Sequence, residues 1–250
     1  MMTTKKIISL FSGAGGMDIG FHAAGFETAV AVEQDTSCCA TLRKNIKNTP
    51  VLEGDITGIT TQEILAAAHL NPLEAALVIG GPPCQSFSLA GKRMGMDDPR
   101  GKLVLEFLRV VQEALPKAFV MENVKGMVNW AGGQALDAIL AEATREISYQ
   151  GKTYHYSVTY QVLNAVDFGA PQFRERVFII GNRLNKPFKF PQATHVAPSS
   201  VQTDLFGHGV QQQWATVWDA IGNLPVAEEP SETAMRVSAT IKDRIVKHGY

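Results

Sequence analysis

Four segments of this sequence carry residues whose types and spacing can do chemistry. The first is Gly81-Pro82-Pro83-Cys84-Gln85-Ser86-Phe87-Ser88. Most cysteines are small hydrophobes packed in cores, but the prolines stiffen this loop and present the thiol instead. Cations or backbone dipoles beside such a thiol favour the nucleophilic thiolate. The residues that follow hold Gly91, Gly95 and Gly101 among Lys92, Arg93, Arg100 and Lys102, with only Asp97 and Asp98 against them. That pattern suits a loop that closes over a polyanion. The second segment is Glu122-Asn123-Val124, where an acid emerges from an apolar strand. Partial desolvation there favours the proton-bearing form that a donor near neutral pH requires.

The third segment is Gln172-Phe173-Arg174-Glu175-Arg176. Arg174 and Arg176 are two apart, so on extended chain they share one side, ready for a carbonyl or a phosphate. A surface ion-pair ladder with Glu175 is the plain alternative. The fourth is Phe11-Ser12-Gly13-Ala14-Gly15-Gly16, a glycine turn that brings backbone N–H groups to the positive end of a helix. Position 18 is Asp18 and no Gly-Lys-Ser/Thr follows, which excludes both the dinucleotide fingerprint and the P-loop. Glu33 ends the next strand, where an acid can accept hydrogen bonds from both hydroxyls of a ribose. Asp55 lies after a further short strand and can receive an adenine amino group. Together these three features sketch a nucleoside site.

The elements that must position these residues alternate along the chain. Strands are expected at 6–11, 28–32, near 51, and at 76–79, 118–121, 158–162 and 177–180. Helices are expected at 16–24, 36–47, 61–70, 102–115 and 135–146. Such alternation gives an α/β fold, a mostly parallel sheet with helices on both faces. Its ligands bind outside the carboxyl ends of the strands, where the glycine turn, Glu33, the PPCQ loop and Glu122-Asn123-Val124 fall, while Gln172–Arg176 precedes a strand. Residues 195–213 are polar and read as a linker, followed by short helices at 214–224 and 238–246.

Composition narrows the class. The chain has 250 residues, 45% hydrophobic and 19% charged, which is enough to build a core and too apolar for disorder. No run of eighteen apolar residues exists, so no membrane span is expected. Three cysteines, two of them the adjacent Cys38 and Cys39, exclude a disulfide scaffold, and six scattered histidines offer no metal-ligand spacing. The expectation is a cytoplasmic protein without a metal. A net charge of −1 argues mildly against a nucleic-acid partner, although Arg183, Lys186 and Lys189 lie in an acid-free stretch.

FSGAGG, PPCQSFS, ENV and QFRER, in this order, resemble the DNA cytosine-5 methyltransferases, over about residues 1–190 and more faintly beyond. The resemblance implies a Rossmann-like S-adenosylmethionine-dependent methyltransferase fold acting on double-stranded DNA. Phe11, Ser12, Gly13, Gly15 and Gly16 would then hold the methionine part of the cofactor, Glu33 its ribose, and Asp55 with Ile56 its adenine, with Ala14, Gln34 and Pro82 as further cofactor contacts. Gln34 departs from relatives that carry an aromatic there. Cys84 would be the nucleophile, Glu122 the partner of the cytosine ring nitrogen, Arg176 the contact to its carbonyl, and Arg174 a residue that orders the site. Gln85, Ser88, Lys92, Arg93 and Asn123 would meet the substrate.

Residues 1–190 are thus expected to form the catalytic domain, and 191–250 a linker and the start of a small domain. No target-recognition region or Asn-Ser-Val block follows, so a second polypeptide supplying recognition is the favoured expectation, ahead of a truncated gene or a self-contained small enzyme. A transfer-RNA methyltransferase is the nearest rival. Those relatives resemble PPCQ followed by Pro-Phe-Thr, where this chain has Ser86-Phe87-Ser88. A non-catalytic regulatory subunit would have no need of Cys84, Glu122 and Arg176 together. A nicotinamide oxidoreductase, which the fold alone would allow, leaves PPCQ unexplained.

Overall fold

The structure, a computed structural model, describes residues 5–83, 102–198, 212–224 and 231–248. Cys84, Gln85, Ser88, Lys92 and Arg93 lie outside the described residues.

The chain opens with β1 (Lys6–Leu10), α1 (Gly16–Ala23), β2 (Glu27–Glu33), α2 (Thr36–Asn45), β3 (Val51–Glu53), α3 (Thr61–Ala68), β4 (Leu77–Gly80), α4 (Lys102–Ala114) and β5 (Ala118–Val124). Two helices follow, α5 (Gly126–Asn129) and α6 (Gln134–Ala143), then β6 (Ile147–Tyr149), β7 (Lys152–Tyr154), β8 (Ser157–Asn164) and β9 (Glu175–Asn182). The last elements are β10 (His195–Val196), β11 (Gln212–Gln213), α7 (Val217–Ile221) and α8 (Glu232–His248).

Seven strands form one sheet in the order β3-β2-β1-β4-β5-β9-β8. The first five are mutually parallel, and β9 runs antiparallel to both β5 and β8. Parallel strands are covered on both faces and read as continuous apolar runs, as β1 and β2 do. Alternation along β2 divides the core. Val30 and Val32 pack with α3 and α4 residues such as Ile64, Phe107 and Leu108, while Ala31 packs with Leu42 and Ile46 of the α2 side. Helix α4 buries Val104, Phe107, Leu108, Val111 and Ala114, the spacing of one helical face. Phe107, Phe119 and Tyr156 stack edge-to-face, with centroids 6.1 and 5.4 Å apart. Each such ring removed from water stabilises the fold by roughly 1.5–3 kcal/mol.

Three features depart from the expected pattern. The sheet's outer pair is antiparallel, and β6 and β7 form a separate hairpin. The hairpin turns at Gln150 and Gly151, with φ of 48° and 73°, the doubly left-handed geometry that matches strand twist. Helix α8 begins at Glu232, six residues before the expected start at 238.

Candidate active site

The strand order reverses between β1 and β4, and a crevice opens there beyond the carboxyl ends of the strands. It is an open cleft of about 250 Å³. Phe11, Glu33, Gln34, Asp55 and Ile56 line it, all of them expected cofactor contacts. Val32, Gly54, Gly81, Pro83 and Leu103 complete the lining.

On one side of the cleft, β1 leads into α1 through a turn in which Phe11, Gly13 and Gly15 all have positive φ, at 51°, 53° and 86°. Gly15 is the N-cap of α1, and a Cβ there would stand 3.1 Å from Leu42. Phe11 has no such freedom, and its left-handed backbone costs about 1–2 kcal/mol. The turn is tied to β2 by Ser12 N–H donating to the Val32 carbonyl at 3.3 Å, and by Gly13 N–H donating to Glu33 Oε2 at 2.7 Å.

Glu33 also receives the N–H groups of Gln34 and Asp35 on Oε1, at 2.8 and 2.9 Å. A carboxylate offers about four acceptor positions, so three main-chain donors leave about one for a ligand. The expectation that Glu33 takes both ribose hydroxyls needs that correction: as the turn stands, it has room for one. Asp55 accepts from Thr57 N–H and the Thr57 hydroxyl, both on Oδ1, at 2.9 and 2.8 Å. These bonds hold its carboxyl below the usual range for an aspartate. The cleft therefore sets two carboxylates around an apolar patch of Val32, Ile56 and Leu103. That donor set fits a nucleoside, whose hydroxyl and amino groups donate and whose flat ring needs an apolar wall.

The second part of the site lies across β4. Because β9 is antiparallel to β5, the start of β9 lies beside the end of β5; a parallel strand would carry Arg174 and Arg176 to the opposite edge. Glu122 pairs in register with Phe178 and Val124 with Arg176, so Glu122 and Arg176 are diagonal neighbours on one face. Arg176 Nε lies 3.0 Å from Glu122 Oε1, and Arg174 Nη2 3.4 Å from the same oxygen. Glu175 turns the other way and pairs with Lys125 at 2.7 Å, so it forms no ladder with its two neighbours. The Glu122 side chain is 20% exposed. Two guanidinium groups replace the apolar, partly desolvated surroundings expected of it.

Gly81, immediately after β4, would set a Cβ 3.1 Å from Glu122 Oε2. Its lack of a side chain thus allows the segment leading into Cys84 to pass directly against Glu122. Asn123, expected among the substrate contacts, is instead 3% exposed. Its Nδ2 donates to the Pro82 carbonyl at 3.1 Å and its Oδ1 accepts from Val124 N–H. This side chain pins the proline segment to β5. Pro82 itself is held by that bond and does not line the cleft.

The expected residues thus assemble as two adjoining groups, the turn with Glu33 and Asp55, and Glu122 with Arg174 and Arg176. Ala14 and Gly16 are exposed beside the turn and do not line the cleft. Arg183 belongs to neither group: its guanidinium is spent on the carbonyls of Leu73, Leu115 and Pro116. Sequence reasoning missed Leu103 and Arg109. Arg109 donates to the carbonyls of Ile56 and Ile59 and to the Thr61 hydroxyl, closing the turn behind Asp55. A basic residue on the buried side of α4 was the available signal.

A nucleoside cleft at the switch point of this seven-stranded sheet, next to an acid held by two arginines, marks an α/β enzyme of the kind that binds a nucleoside-bearing cofactor beside its substrate. The comparisons give the particular family: the model for C-5 cytosine-specific DNA methylase matches residues 5–246, and the chain belongs to that family. It is 71% identical over 248 residues to the Type II methyltransferase M.AquIA of Picosynechococcus sp., covering 98% of this chain and 99% of that one. It is 40% identical to the Type II methyltransferase M1.HphI of Haemophilus parahaemolyticus, covering 87% of this chain and 52% of the relative. The chain therefore spans nearly the whole of one relative and about half of the other. A crystal structure described as a DNA modification methyltransferase from an Escherichia coli prophage shares the fold, with a TM-score of 0.65 at 23% identity, over 95% of this chain and 69% of that one. The protein is a DNA cytosine-5 methyltransferase, and S-adenosylmethionine is its methyl donor.

Proposed function

We propose that Cys84 and Glu122 carry the methylation chemistry, with Arg176 and Arg174 placing the base. Cytosine C5 is a poor nucleophile within an aromatic ring. Addition of the Cys84 thiolate to C6 breaks the aromaticity, and Glu122 gives its proton to N3, so that the adduct is an enamine with its electron pair available at C5. S-adenosylmethionine, when bound, supplies an electrophilic methyl group for that carbon. A base next removes the C5 proton, the pair left behind expels Cys84 as thiolate, and N3 returns its proton to Glu122 as the ring is restored. The cytosine has to leave the duplex stack for this, at a cost of roughly a few kcal/mol. Arg176 would meet its carbonyl, and Lys92, Arg93, Gln85 and Ser88 the flipped nucleotide and its phosphates.

The observation that carries this reading is Glu122, held by two arginines and touched by Gly81, beside the cleft that suits a nucleoside. In that cleft Glu33 would take one ribose hydroxyl and Asp55 the adenine amino group.

We further propose that residues 1–190 form the catalytic domain, that 191–250 lead into a small domain, and that target recognition comes from a second polypeptide. The helices beyond residue 212 support this. Val217, Trp218, Ile221 and Leu224 on and after α7 and Met235, Val237 and Ile241 on α8 are all exposed, Trp218 at 77%. Large apolar side chains exposed along both helices suit a place where something else packs. Relatives named as Type II methyltransferases support a role in a restriction-modification system, acting on DNA inside the cell. Among the described residues no helix is long and apolar enough to cross a membrane.

Transfer of a labelled methyl group to mixed-sequence duplex DNA tests the assignment, with transfer RNA as a parallel substrate and cofactor binding read in the same preparation. Transfer to DNA by the chain alone would refute the second polypeptide. Cofactor binding without transfer, with activity restored by a co-purified partner, is the expected result. Transfer to RNA alone would overturn the DNA reading.

A further inference from the structure

Beneath the glycine turn lies a carboxylate for which the proposed chemistry has no use. Asp18, in the first turn of α1, is fully buried at 0% exposure. Among the described residues no lysine or arginine pairs with it. It is satisfied instead by two hydroxyls from neighbouring strands, each also buried. Ser9 Oγ of β1 donates to Oδ2 at 3.0 Å, and Thr28 Oγ1 of β2 donates to Oδ1 at 2.8 Å. A buried carboxylate without a cation is costly unless it is fully hydrogen-bonded, so this arrangement should return something for its cost.

The proton directions show what it returns. A serine hydroxyl has one proton, and Ser9 spends it on Asp18. Ser9 can then only accept, and of the three acceptors within reach of the Ser12 hydroxyl its oxygen is the nearest, at 2.9 Å against 3.1 Å for the Ser9 carbonyl and 3.4 Å for that of Val32. Ser12 is the centre of the turn in which Phe11 takes a left-handed backbone. The chain of protons Ser12 to Ser9 to Asp18 runs one way because its end can only accept. An acceptor with protons of its own at position 18 would let Ser9 reverse, leaving the Ser12 hydroxyl only the longer bonds to the Ser9 and Val32 carbonyls.

We propose that Asp18 is a positioning residue for the cofactor turn: through Ser9 it fixes the direction of the Ser12 hydroxyl and so holds the strained Phe11–Gly13 backbone in place before the cofactor arrives. This rests on the reading of that turn as part of the cofactor site. Thr28 extends the same network, since its Oγ1 lies 2.9 Å from His22 Nε2. The second hydroxyl at Asp18 thereby ties α1 to β2 and not to the turn.

The test compares wild type with Asp18→Asn, Ser12→Ala and the double variant, each with any partner polypeptide the chain purifies with. Hydrogen exchange of the residue 11–16 amides is read without cofactor, alongside S-adenosylmethionine affinity by calorimetry and the melting temperature. Asp18→Asn is expected to speed turn exchange and weaken cofactor binding, each about tenfold, the size of one hydrogen bond to a charged group. Ser12→Ala should add little on top, because both changes cut one chain. A lower melting temperature with turn exchange unchanged would overturn the proposal and leave Asp18 a structural residue. Additive effects on exchange would overturn the route through Ser9. Faster exchange with cofactor affinity unaltered would instead refute the assignment of the turn to the cofactor. If Asp18→Asn fails to fold, Ser9→Ala cuts the same link by removing one hydroxyl and is read in the same way.

Discussion

The two halves of the site are held by different kinds of bond. On the cofactor side, Glu33 is fixed by three main-chain N–H groups, and Asp55 by the N–H and hydroxyl of a residue two places on. On the catalytic side, Glu122, Arg174 and Arg176 are joined only through side-chain ends, and the Arg174 side chain is 46% exposed. Main-chain donors cannot swing away without moving the fold. Exposed ion pairs are worth only about 0–1 kcal/mol and exchange partners readily. The cofactor half is therefore built in advance, whereas the catalytic half can swing the exposed Arg174 aside for an arriving base at little cost. Substitutions on the two sides should accordingly separate binding from turnover.

The largest separation is expected at the nucleophile. Cys84→Ala should abolish methyl transfer to DNA, because it removes the thiolate proposed to add to C6, while S-adenosylmethionine affinity stays at the wild-type value. Transfer assays paired with calorimetry check both halves of that statement. A parallel loss of cofactor binding would show that the two halves are not separable. Glu122→Gln comes next. It keeps the shape but loses the acid, and removing a proton-transfer group typically costs about 10²–10⁴ in turnover. Single-turnover rates at saturating cofactor measure this, and a near-normal rate would end the account of N3 activation.

Glu33→Ala tests the other side. It removes an acceptor for the ribose and also frees the N–H groups of Gly13, Gln34 and Asp35. Cofactor dissociation constants should rise by about 10–100-fold, the worth of one or two hydrogen bonds to a charged group. The rate at saturating cofactor should be nearly unchanged. A fall in the saturated rate with affinity intact would place Glu33 on the wrong side of the comparison.

The parallel half was legible because its signals are local. Strands β1, β2, β4 and β5 are short apolar runs closed by glycine, proline or an acid, and their observed ends lie within three residues of those expected. The antiparallel insertion of β9 was not legible, since nothing in Glu175–Asn182 states its direction; yet that direction is what brings Arg176 to Glu122. The hairpin of β6 and β7 was missed because its turn, Gln150-Gly151, lacks the usual asparagine or aspartate. At the site, Glu33 lines the cleft beside the turn, but its saturation by main-chain donors depends on Gly13, twenty residues away. Asp18 entered the sequence argument only as a missing glycine. Its role depends on hydroxyls that β1 and β2 bring together after folding.

Arg109 offers the smallest effect and the sharpest test of preformation. It stands on α4, whose first turn carries Leu103 into the cleft, and its guanidinium reaches 50 residues back to the Ile59 carbonyl at 3.0 Å. Nη1 also meets Thr61 Oγ1 at 2.9 Å, and Nε pairs with Glu106 at 2.7 Å. The fork thus clamps the turn bearing Asp55 and Ile56 onto the helix. Lysine keeps the charge but cannot form that fork, so Arg109→Lys should loosen the turn without emptying the cleft. Cofactor affinity should fall by about three- to tenfold, the loss of one or two net hydrogen bonds, and the saturated rate should hold. Lost turnover with unchanged affinity would mean that α4 serves the catalytic side, and that the boundary between the preformed and the adaptable halves runs through this helix.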